Sequence, residues 1–146
     1  MIVIKPFSEN DLPKELLNSA IPKKAILDYA KKGILFSAYV NNNPAGSYFF
    51  INHQDTSVEI AALIVYSNYR NRTIGTKLIE HALNQARLMN ANSINMDTIM
   101  PLKSFYESFG FREDNIVTDF YKNVYNSEII YENKAYADKV VLSMFL

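Results

Sequence analysis

The chain has 146 residues, of which 49% are hydrophobic and 21% charged, with fifteen basic side chains against fifteen acidic ones. This size predicts a single globular domain spanning residues 1–146, and a net charge of zero argues against nucleic acid or an anionic membrane as a partner. The absence of cysteine excludes disulfides and zinc–thiolate sites, and two histidines are too few for a histidine-rich centre, so we expect no metal. Without a signal peptide or a membrane-spanning run, the expected location is the cytoplasm.

Short strands and helices are predicted at the start of the chain. Ile2–Phe7 is typical of a strand, and Ser8 followed by Asp11 resembles a capping box that opens a first short helix. Pro22 opens a second short helix, which Gly33 ends. We therefore expect one strand followed by two helices.

The middle of the chain predicts the centre of a sheet. Residues 34–40 and 45–51 predict the two strands of a hairpin. The run 58–65 is almost continuously apolar, which is typical of a strand covered on both faces. Apolar positions at helical spacing then predict a long helix from Ile74 to Met89.

The C-terminal third predicts a short strand at 93–97, a helix that begins near Pro101, and a strand from Phe111. The remainder, from Val117, predicts strands alone, with a hairpin tip at Asn133-Lys134. This order of elements predicts an α+β or mixed α/β fold with one central sheet and helices packed on it.

The junction between the central strand and the long helix is a candidate anion site. A polar loop that leads directly into a helix presents unpaired backbone N–H groups and the positive end of the helix dipole. Gly75 lets a ligand approach the backbone, and Arg70, Arg72 and Lys77 add positive charge. The alternative is an ordinary solvated loop that caps a helix. Neither a Walker A loop nor a dinucleotide-binding glycine motif is present.

Two segments resemble the GNAT superfamily of acyl-CoA-dependent N-acyltransferases. Residues 69–75, with the sequence YRNRTIG, resemble its R-x-x-G-x-G/A pyrophosphate loop, and Thr73 stands where the first glycine is usual. Residues 104–111, with the sequence SFYESFGF, match its [LF]-Y-x-x-x-G-F segment. The resemblance covers nearly the whole chain and includes a tail similar to that of small bacterial members. It implies a three-layer sandwich, a mostly antiparallel sheet of about seven strands with helices on both faces.

The resemblance also implies acetyl-CoA as cosubstrate. Its pantetheine amides would pair with the backbone where the central strand separates from the strand ending at Asp97, and its pyrophosphate would sit on the loop and the first helical turn. The predicted cofactor-binding residues are Leu63, Ile64, Val65, Arg70, Asn71, Arg72, Thr73, Ile74, Gly75, Thr76 and Phe105.

Three side chains are candidates for the chemistry. Tyr106 occupies the position of the family's general-acid tyrosine, where a hydrogen-bond donor helps a thiolate leave; the alternative is a core aromatic. Glu59 and Asp97 are carboxylates in apolar stretches, where desolvation could tune a base. Either could instead be a surface charge or an anchor, with water as the base. His53 and His81 are expected to be structural.

The tail combines tyrosines with carboxylates. Such a wall would suit a cationic amine, or the tail could pack at a dimer interface, and exposed sheet edges also allow a homodimer. The resulting hypothesis is a cytoplasmic N-acetyltransferase that moves acetyl from acetyl-CoA to a primary amine of a small molecule or peptide, by direct attack in a ternary complex. Because Thr73, Ile99 and Lys103 depart from the family pattern, the alternative is a non-catalytic acyl-CoA-binding or regulatory domain.

Overall fold

The computed structural model of the protein describes residues 1–70 and 73–146. Its helices and strands, in chain order, are β1 (Ile2–Pro6), α1 (Lys14–Leu17), α2 (Lys23–Lys32), β2 (Ile34–Val40), β3 (Asn43–Asn52), β4 (Ser57–Val65), α3 (Ile74–Leu88), β5 (Ser93–Thr98), α4 (Lys103–Glu107), β6 (Arg112–Val117), α5 (Phe120–Tyr125), β7 (Ile129–Tyr131), β8 (Lys134–Tyr136) and β9 (Lys139–Phe145). Within these residues, seven strands form one sheet in the order β1-β2-β3-β4-β5-β9-β6, and β7 pairs with β8. Neighbouring strands are antiparallel except β4 and β5, which are parallel. The predicted mixed α/β fold, with one mostly antiparallel sheet, is confirmed.

Helices cover both faces of the sheet. α3 packs on one face, where its residues Leu78 and Ala82 are fully buried against the strands. α1 and α2 lie on the other face, where Leu16 and Ile26 are fully buried against a second cluster that includes Ile51. Burial on both faces explains the continuous apolar run of β4. No helix in the described part of the chain has the length and hydrophobicity needed to cross a membrane.

β4 separates from β5 half-way along its length. The two strands pair from Ser57 with Ser93 up to Ile60 with Met96, and no further pairs follow. Just beyond this point the register of β4 with β3 shifts, and Ala62 has a φ of 50°. An extra residue of this kind forms a β-bulge, which bends a strand and increases its twist. The second half of β4 therefore diverges from β5, and a wedge opens between them.

The first helix does not begin where the sequence pattern predicts. α1 begins at Lys14, directly after Pro13, and no side chain caps it. The capping box predicted from Ser8 and Asp11 is therefore wrong. Proline fixes φ at a helical value and has no N–H that would need a partner, and Pro22 precedes α2 in the same way.

The prediction that everything after Val117 is strand is also wrong. α5 interrupts this region between Asp119 and Asn126, which have φ values of 55° and 52°. Aspartate and asparagine adopt left-handed backbone conformations more readily than other residues with side chains. A side-chain oxygen of Asp138 accepts a hydrogen bond of 2.8 Å from the backbone N–H of Asp119, which ties the start of α5 to the segment before β9.

The hairpin of β7 and β8 turns one residue earlier than predicted. Tyr131 pairs with Lys134, and the two residues between them, Glu132 and Asn133, have φ values of 48° and 65°. Two consecutive residues with positive φ are typical of the tight hairpin turn that matches strand twist. The hairpin tip is therefore Glu132-Asn133 and not Asn133-Lys134.

Candidate active site

The wedge between β4 and β5 opens into a cleft of about 980 Å³. This volume is within the usual range for sites that bind small molecules and cofactors. The second half of β4, the start of α3, α4 and the β7–β8 hairpin all contribute to its wall. Ten of the predicted site residues line it: Glu59, Leu63, Ile64, Val65, Arg70, Gly75, Thr76, Asp97, Phe105 and Tyr106.

The remaining predicted site residues lie elsewhere. Ile74 is fully buried in the core beneath α3 and does not line the cleft. Thr73 is exposed at the N-cap of α3 with a φ of −81°, a value that does not require glycine. Asn71 and Arg72 lie outside the described residues, so their predicted contacts with a cofactor are not placed.

The start of α3 has unpaired backbone N–H groups at the position of the predicted anion site. The first intrahelical hydrogen bond joins the N–H of Lys77 to the carbonyl of Thr73, at 3.0 Å, so the three preceding N–H groups have no partner within the helix. No side chain caps them. Because Gly75 and Thr76 line the cleft, this positive helix end borders the open space.

Gly75 is not required by the packing of the protein itself. A Cβ atom at this position would meet the ring of Phe105 and the side chain of Val65 at 3.5 Å, an ordinary contact distance. Gly46, by contrast, lies against β4 so closely that a Cβ would be 2.8 Å from the carbonyl oxygen of Ile64. Gly46 thus has a structural role, whereas the space at Gly75 faces the cleft.

Tyr106 lies on α4 and lines the cleft. Its side chain is 5% exposed, and its ring packs edge-on against Phe105 with centroids 5.1 Å apart. Burial raises the pKa of Tyr106, so the hydroxyl stays protonated at neutral pH. None of the described residues forms a hydrogen bond with this hydroxyl, which leaves it able to donate to a molecule in the cleft.

Glu59 and Asp97 lie on the cleft face of neighbouring strands, and each has a cationic or ionisable partner. Burial raises the pKa of both carboxyl groups. Nε2 of His53 lies 2.8 Å from Oε1 of Glu59 and partly opposes this rise. Nζ of Lys139 lies 3.4 Å from Oδ2 of Asp97 and does the same there. Lys139 also sits over the ring of Phe120, 3.9 Å from its centroid, which connects Asp97 to α5.

Comparison with known proteins assigns the chain to a family. Residues 31–113, more than half of the chain, match the family model described as an acetyltransferase (GNAT) domain. The chain belongs to the GNAT family of acetyltransferases. It is 30% identical over 128 residues to the uncharacterized N-acetyltransferase YvbK of Bacillus subtilis (strain 168), a match that covers 85% of this chain and 82% of that protein.

Solved structures of GNAT acetyltransferases have the same architecture. The IAA acetyltransferase from Bacillus cereus ATCC 14579 superposes with a TM-score of 0.89 at 25% identity, over 100% of both chains. A GNAT family acetyltransferase from Elizabethkingia anophelis, solved with acetyl-CoA bound, gives a TM-score of 0.89 at 25% identity and covers 99% of this chain and 98% of that one. The three-layer sandwich predicted from the two motifs is thereby confirmed.

Two positions where this GNAT acetyltransferase departs from the family pattern have ordinary structural surroundings. Ile99 is buried, 4% exposed, and lines the cleft. Nζ of Lys103 lies 2.8 Å from Oε1 of Glu113 on β6, so this lysine pairs with a neighbouring strand. The described residues contain no cluster of three or more histidine, aspartate or glutamate side chains arranged to hold a metal ion.

Aromatic and acidic side chains form the wall of the cleft opposite α3. Tyr29 of α2, Tyr121 of α5, and Tyr131 and Glu132 of the β7–β8 hairpin line it. Burial raises the pKa of Tyr29 and of Tyr121, so both remain neutral donors. Glu15 of α1 adds a further carboxylate. The sequence pattern predicts strands for this tyrosine-rich tail, whereas in the structure Tyr121 lines the cleft from the helix α5.

The two histidines have different surroundings. His81 lies on α3, with Nδ1 2.7 Å from the hydroxyl of Tyr48 and its ring against Phe36, in the core on the other side of the sheet. His53 instead contacts Glu59 at the cleft. A sequence signal for this contact exists, because a hairpin with a short turn at residues 53–56 brings the two ends of its strands together.

Proposed function

We propose that this GNAT enzyme transfers the acetyl group of acetyl-CoA to a primary amine of a small molecule or peptide, by direct attack of the amine in a ternary complex. The observation that carries the proposal is that one cleft contains the uncapped start of α3, the unpaired edge of β4, the buried Tyr106 and two carboxylates. The acetyl-CoA bound to the Elizabethkingia anophelis acetyltransferase supports the same cosubstrate here.

In this proposal acetyl-CoA lies along the wedge. The pantetheine amides pair with backbone groups of Leu63 to Val65, which have no strand partner on the β5 side. The pyrophosphate accepts hydrogen bonds from the amides of the loop and first turn, from Arg70 through Asn71, Arg72, Thr73, Ile74 and Gly75 to Thr76. Phe105 packs beside Gly75, where the missing Cβ leaves room for the cofactor.

Tyr106 is the proposed acid. When the amine attacks the thioester carbonyl, negative charge develops first on the oxygen and then on the departing sulfur. A backbone N–H near Val65 stabilises the oxygen, and the protonated hydroxyl of Tyr106 donates to the sulfur. Because burial raises the pKa of Tyr106, this donor is available throughout the neutral and mildly alkaline range.

Glu59 is the proposed base. The attacking amine must lose a proton, which a carboxylate with a raised pKa accepts more readily than an exposed one does. Asp97 also has a raised pKa, but the ammonium group of Lys139 lies 3.4 Å from its Oδ2, so this carboxylate already serves as the counter-charge of a lysine. We therefore assign Asp97 to orienting the acceptor and α5, and Glu59 to proton removal.

The acceptor is proposed to be a cationic amine, one that carries a second positive charge besides the reacting nitrogen. The wall opposite α3 has tyrosine faces at Tyr29, Tyr121 and Tyr131 and carboxylates at Glu15 and Glu132. Aromatic faces attract cations, and carboxylates pair with them. The inclusion of Tyr121 and Tyr131 in the cleft wall supports this role of the tail over a role at a dimer interface.

The test combines binding with turnover. Acetyl-CoA at about one hundred times its Kd should stabilise the protein by roughly 2.7 kcal/mol and raise Tm by roughly 5–11 °C, whereas ADP, as a control for phosphate binding, should give a smaller shift. Acetyl transfer is then measured as release of CoA with spermidine, lysine, an aminoglycoside and a short peptide with a free N-terminus.

The Tyr106→Phe variant tests the assigned acid. It should lose about a hundredfold or more in kcat and retain the Tm shift with acetyl-CoA, because the ring packing is preserved and only the hydroxyl is removed. An unchanged kcat would remove Tyr106 from the mechanism. Failure of every amine together with a normal acetyl-CoA shift would contradict the proposed acceptor class.

A further inference from the structure

We propose that His53 is a positioning residue, which holds the carboxylate of Glu59 ionised and directed into the cleft by donating a hydrogen bond from Nε2. The inference rests on the proposed function, since it concerns the base assigned there. Nothing in the sequence motifs points to His53, which lies in a polar turn more than fifty residues before Tyr106.

The register of the sheet places the two side chains together. Ile51 of β3 pairs with Glu59 of β4, and both lie on the face of the sheet that α1 and α2 cover. His53 follows Ile51 by two residues, so strand alternation returns its side chain to the same face. The two are therefore diagonal neighbours across the hairpin, and Nε2 of His53 reaches Oε1 of Glu59 at 2.8 Å.

The turn that carries His53 is held by several hydrogen bonds. The N–H of His53 donates to the carbonyl of Ser57 at 3.1 Å, and the N–H of Ser57 donates to the side chain of Asp55 at 3.0 Å. Asn92, in the loop before β5, donates from its backbone to the carbonyl of Thr56 at 2.7 Å and from its side chain to the Thr56 hydroxyl at 3.1 Å. The turn is thus fixed to the next strand of the sheet, and the imidazole starts from a constrained backbone.

The chemistry of the pair determines which group donates. An ionised carboxylate only accepts hydrogen bonds, so Nε2 must carry the proton in the pair whether the imidazole is neutral or charged. Hydrogen bonding to the ionised form lowers a carboxyl pKa, and this contact opposes the rise that burial causes at Glu59. Without it, the pKa of Glu59 would rise further, and a smaller fraction of the group would be ionised and able to act as a base at a given pH.

Other charged groups around the pair act in the same region. Asp97 of β5 raises the pKa of Glu59, and Lys139 of β9 lowers it. The charge of Glu59 in turn raises the pKa of Tyr29 on α2. His53 faces Asp55 within its own turn. At Glu59, Asp97 and Lys139 act in opposite directions. Among the effects that favour the ionised carboxylate, the hydrogen bond from His53 is the largest.

Stability alone does not explain the pair. The side chain of His53 is 40% exposed and that of Glu59 is 16% exposed, and pairs that reach solvent in this way contribute little to folding. Its geometry is instead that of a support behind a functional group, with one partner in the cleft and the other at the surface.

The experiment compares His53→Ala with His53→Gln. The amide nitrogen of glutamine can take the place of Nε2 as a donor, whereas alanine cannot. For each variant, kcat/KM for the amine is divided by the wild-type value at each pH, which cancels the ionisation of the substrate amine. The His53→Ala ratio should be about one-tenth at pH 6 and rise toward about one-half at pH 8.5, with KM for acetyl-CoA unchanged. The His53→Gln ratio should stay within about threefold of one across this range.

Two further variants separate positioning from other causes. Glu59→Gln should lower kcat/KM by about a hundredfold, and adding His53→Ala to it should cause no further loss, because His53 acts only through Glu59. His81→Gln removes the other histidine, on the far side of the sheet, and is the matched control. Its kcat/KM relative to the wild type should not change with pH.

A direct titration makes the inference independent of the acceptor. In protein labelled with ¹³C at the glutamate carboxyl groups, the Glu59 signal is identified by its loss in Glu59→Gln. The midpoint of its titration should rise by roughly half to one pH unit in His53→Ala and by less than half as much in His53→Gln. An unchanged midpoint in His53→Ala, or equal behaviour of the two variants, would overturn the inference. If wild-type protein acetylates none of the amines, the proposed function fails while this titration still decides the role of His53.

Discussion

The first half of β4, Ser57–Ile60, has a strand on each side, whereas the second half, residues 61–65, pairs with β3 alone. The paired half contributes buried residues such as Val58 and Ile60 to the core. The residues of the second half are mostly only partly buried, and their free edge faces the cleft. The difference shows how one strand serves two purposes: its first half stabilises the fold, and its second half leaves backbone groups available to a ligand.

Truncation of one side chain in each half should give the largest contrast. Ile60 is 1% exposed, so Ile60→Ala should lower the free energy of unfolding by about 2–5 kcal/mol. Leu63 is half-buried at the cleft, so Leu63→Ala should cost less stability and weaken acetyl-CoA binding instead. Denaturant unfolding and acetyl-CoA titrations on both variants provide the measurement. Equal losses of stability would show that the two halves do not differ in this way.

Replacing each of the two glycines beside the second half of β4 by alanine should change the free energy of unfolding in opposite directions. Gly46→Ala places a Cβ against the carbonyl of Ile64 and should destabilise the fold by about 1–3 kcal/mol. Gly75→Ala meets only ordinary contacts and should stabilise α3 by up to about 1 kcal/mol, because alanine favours helix. The same variant should bind acetyl-CoA about tenfold more weakly, since its methyl group occupies cofactor space. A gain in stability with unchanged affinity would place the cofactor elsewhere.

Asp97 lies on β5, directly after the last residue of β5 that pairs with β4. Its carboxylate forms an ion pair with Lys139. Lys139→Met retains the aliphatic stem but leaves the partly buried carboxylate of Asp97 without its cation and the Phe120 ring without its contact. We expect a loss of about 1 kcal/mol and an increase in proteolysis near α5. Lys77→Met is the control, because Lys77 and Glu80 form an exposed pair 3.7 Å apart on α3 and should contribute under about 0.5 kcal/mol. Indistinguishable variants would mean that α5 is held by other contacts.

A smaller effect concerns the pH dependence of stability at Glu59. Burial raises its pKa in the folded chain above the ordinary value, so the folded state binds more protons at this site. The stabilisation from this group is present below the ordinary pKa and is lost as pH rises through the raised one. The Tm of Glu59→Gln minus that of the wild type should therefore increase between about pH 4 and pH 7. The increase should be larger in a His53→Ala background, and a constant difference would contradict the raised pKa.

Much of the sheet could be predicted because its strands have simple patterns. The apolar run from residue 58 to residue 65 predicted a strand covered on both faces, and the structure confirms it. The bulge at Ala62 could not be predicted, because an extra residue becomes visible only when the strand is aligned with its partner β3. The wedge was expected from the family resemblance and not from the residues of β4.

The tail shows where local propensity fails. Aromatic and β-branched residues around Phe120 and Val124 are typical of strands, yet they form α5. The signals for the helix are its boundaries, Asp119 and Asn126, which tolerate the left-handed conformation found there. Tertiary contacts, including the Asp138 bond and the Lys139 contact with Phe120, then outweigh the preference for a strand.

The candidate site was predictable where a motif was present. The loop before α3 and the segment around Tyr106 lead to one cleft, although two residues of the loop lie outside the described part of the chain. His53 was assigned a structural role because it lies in a polar turn, and its contact with Glu59 was not predicted. Only the hairpin register, with Ile51 opposite Glu59, brings the two together.

The bulge at Ala62 also reverses the parity of β4. Before it, even-numbered residues such as Ile60 face α3 and odd-numbered ones such as Glu59 face the opposite side; after it, Leu63 and Val65 face α3. Deleting or inserting one residue here would therefore not simply shorten or lengthen the strand. It would move each later side chain of β4 to the opposite face of the sheet. The length of this segment is therefore as strongly constrained as the identity of its side chains.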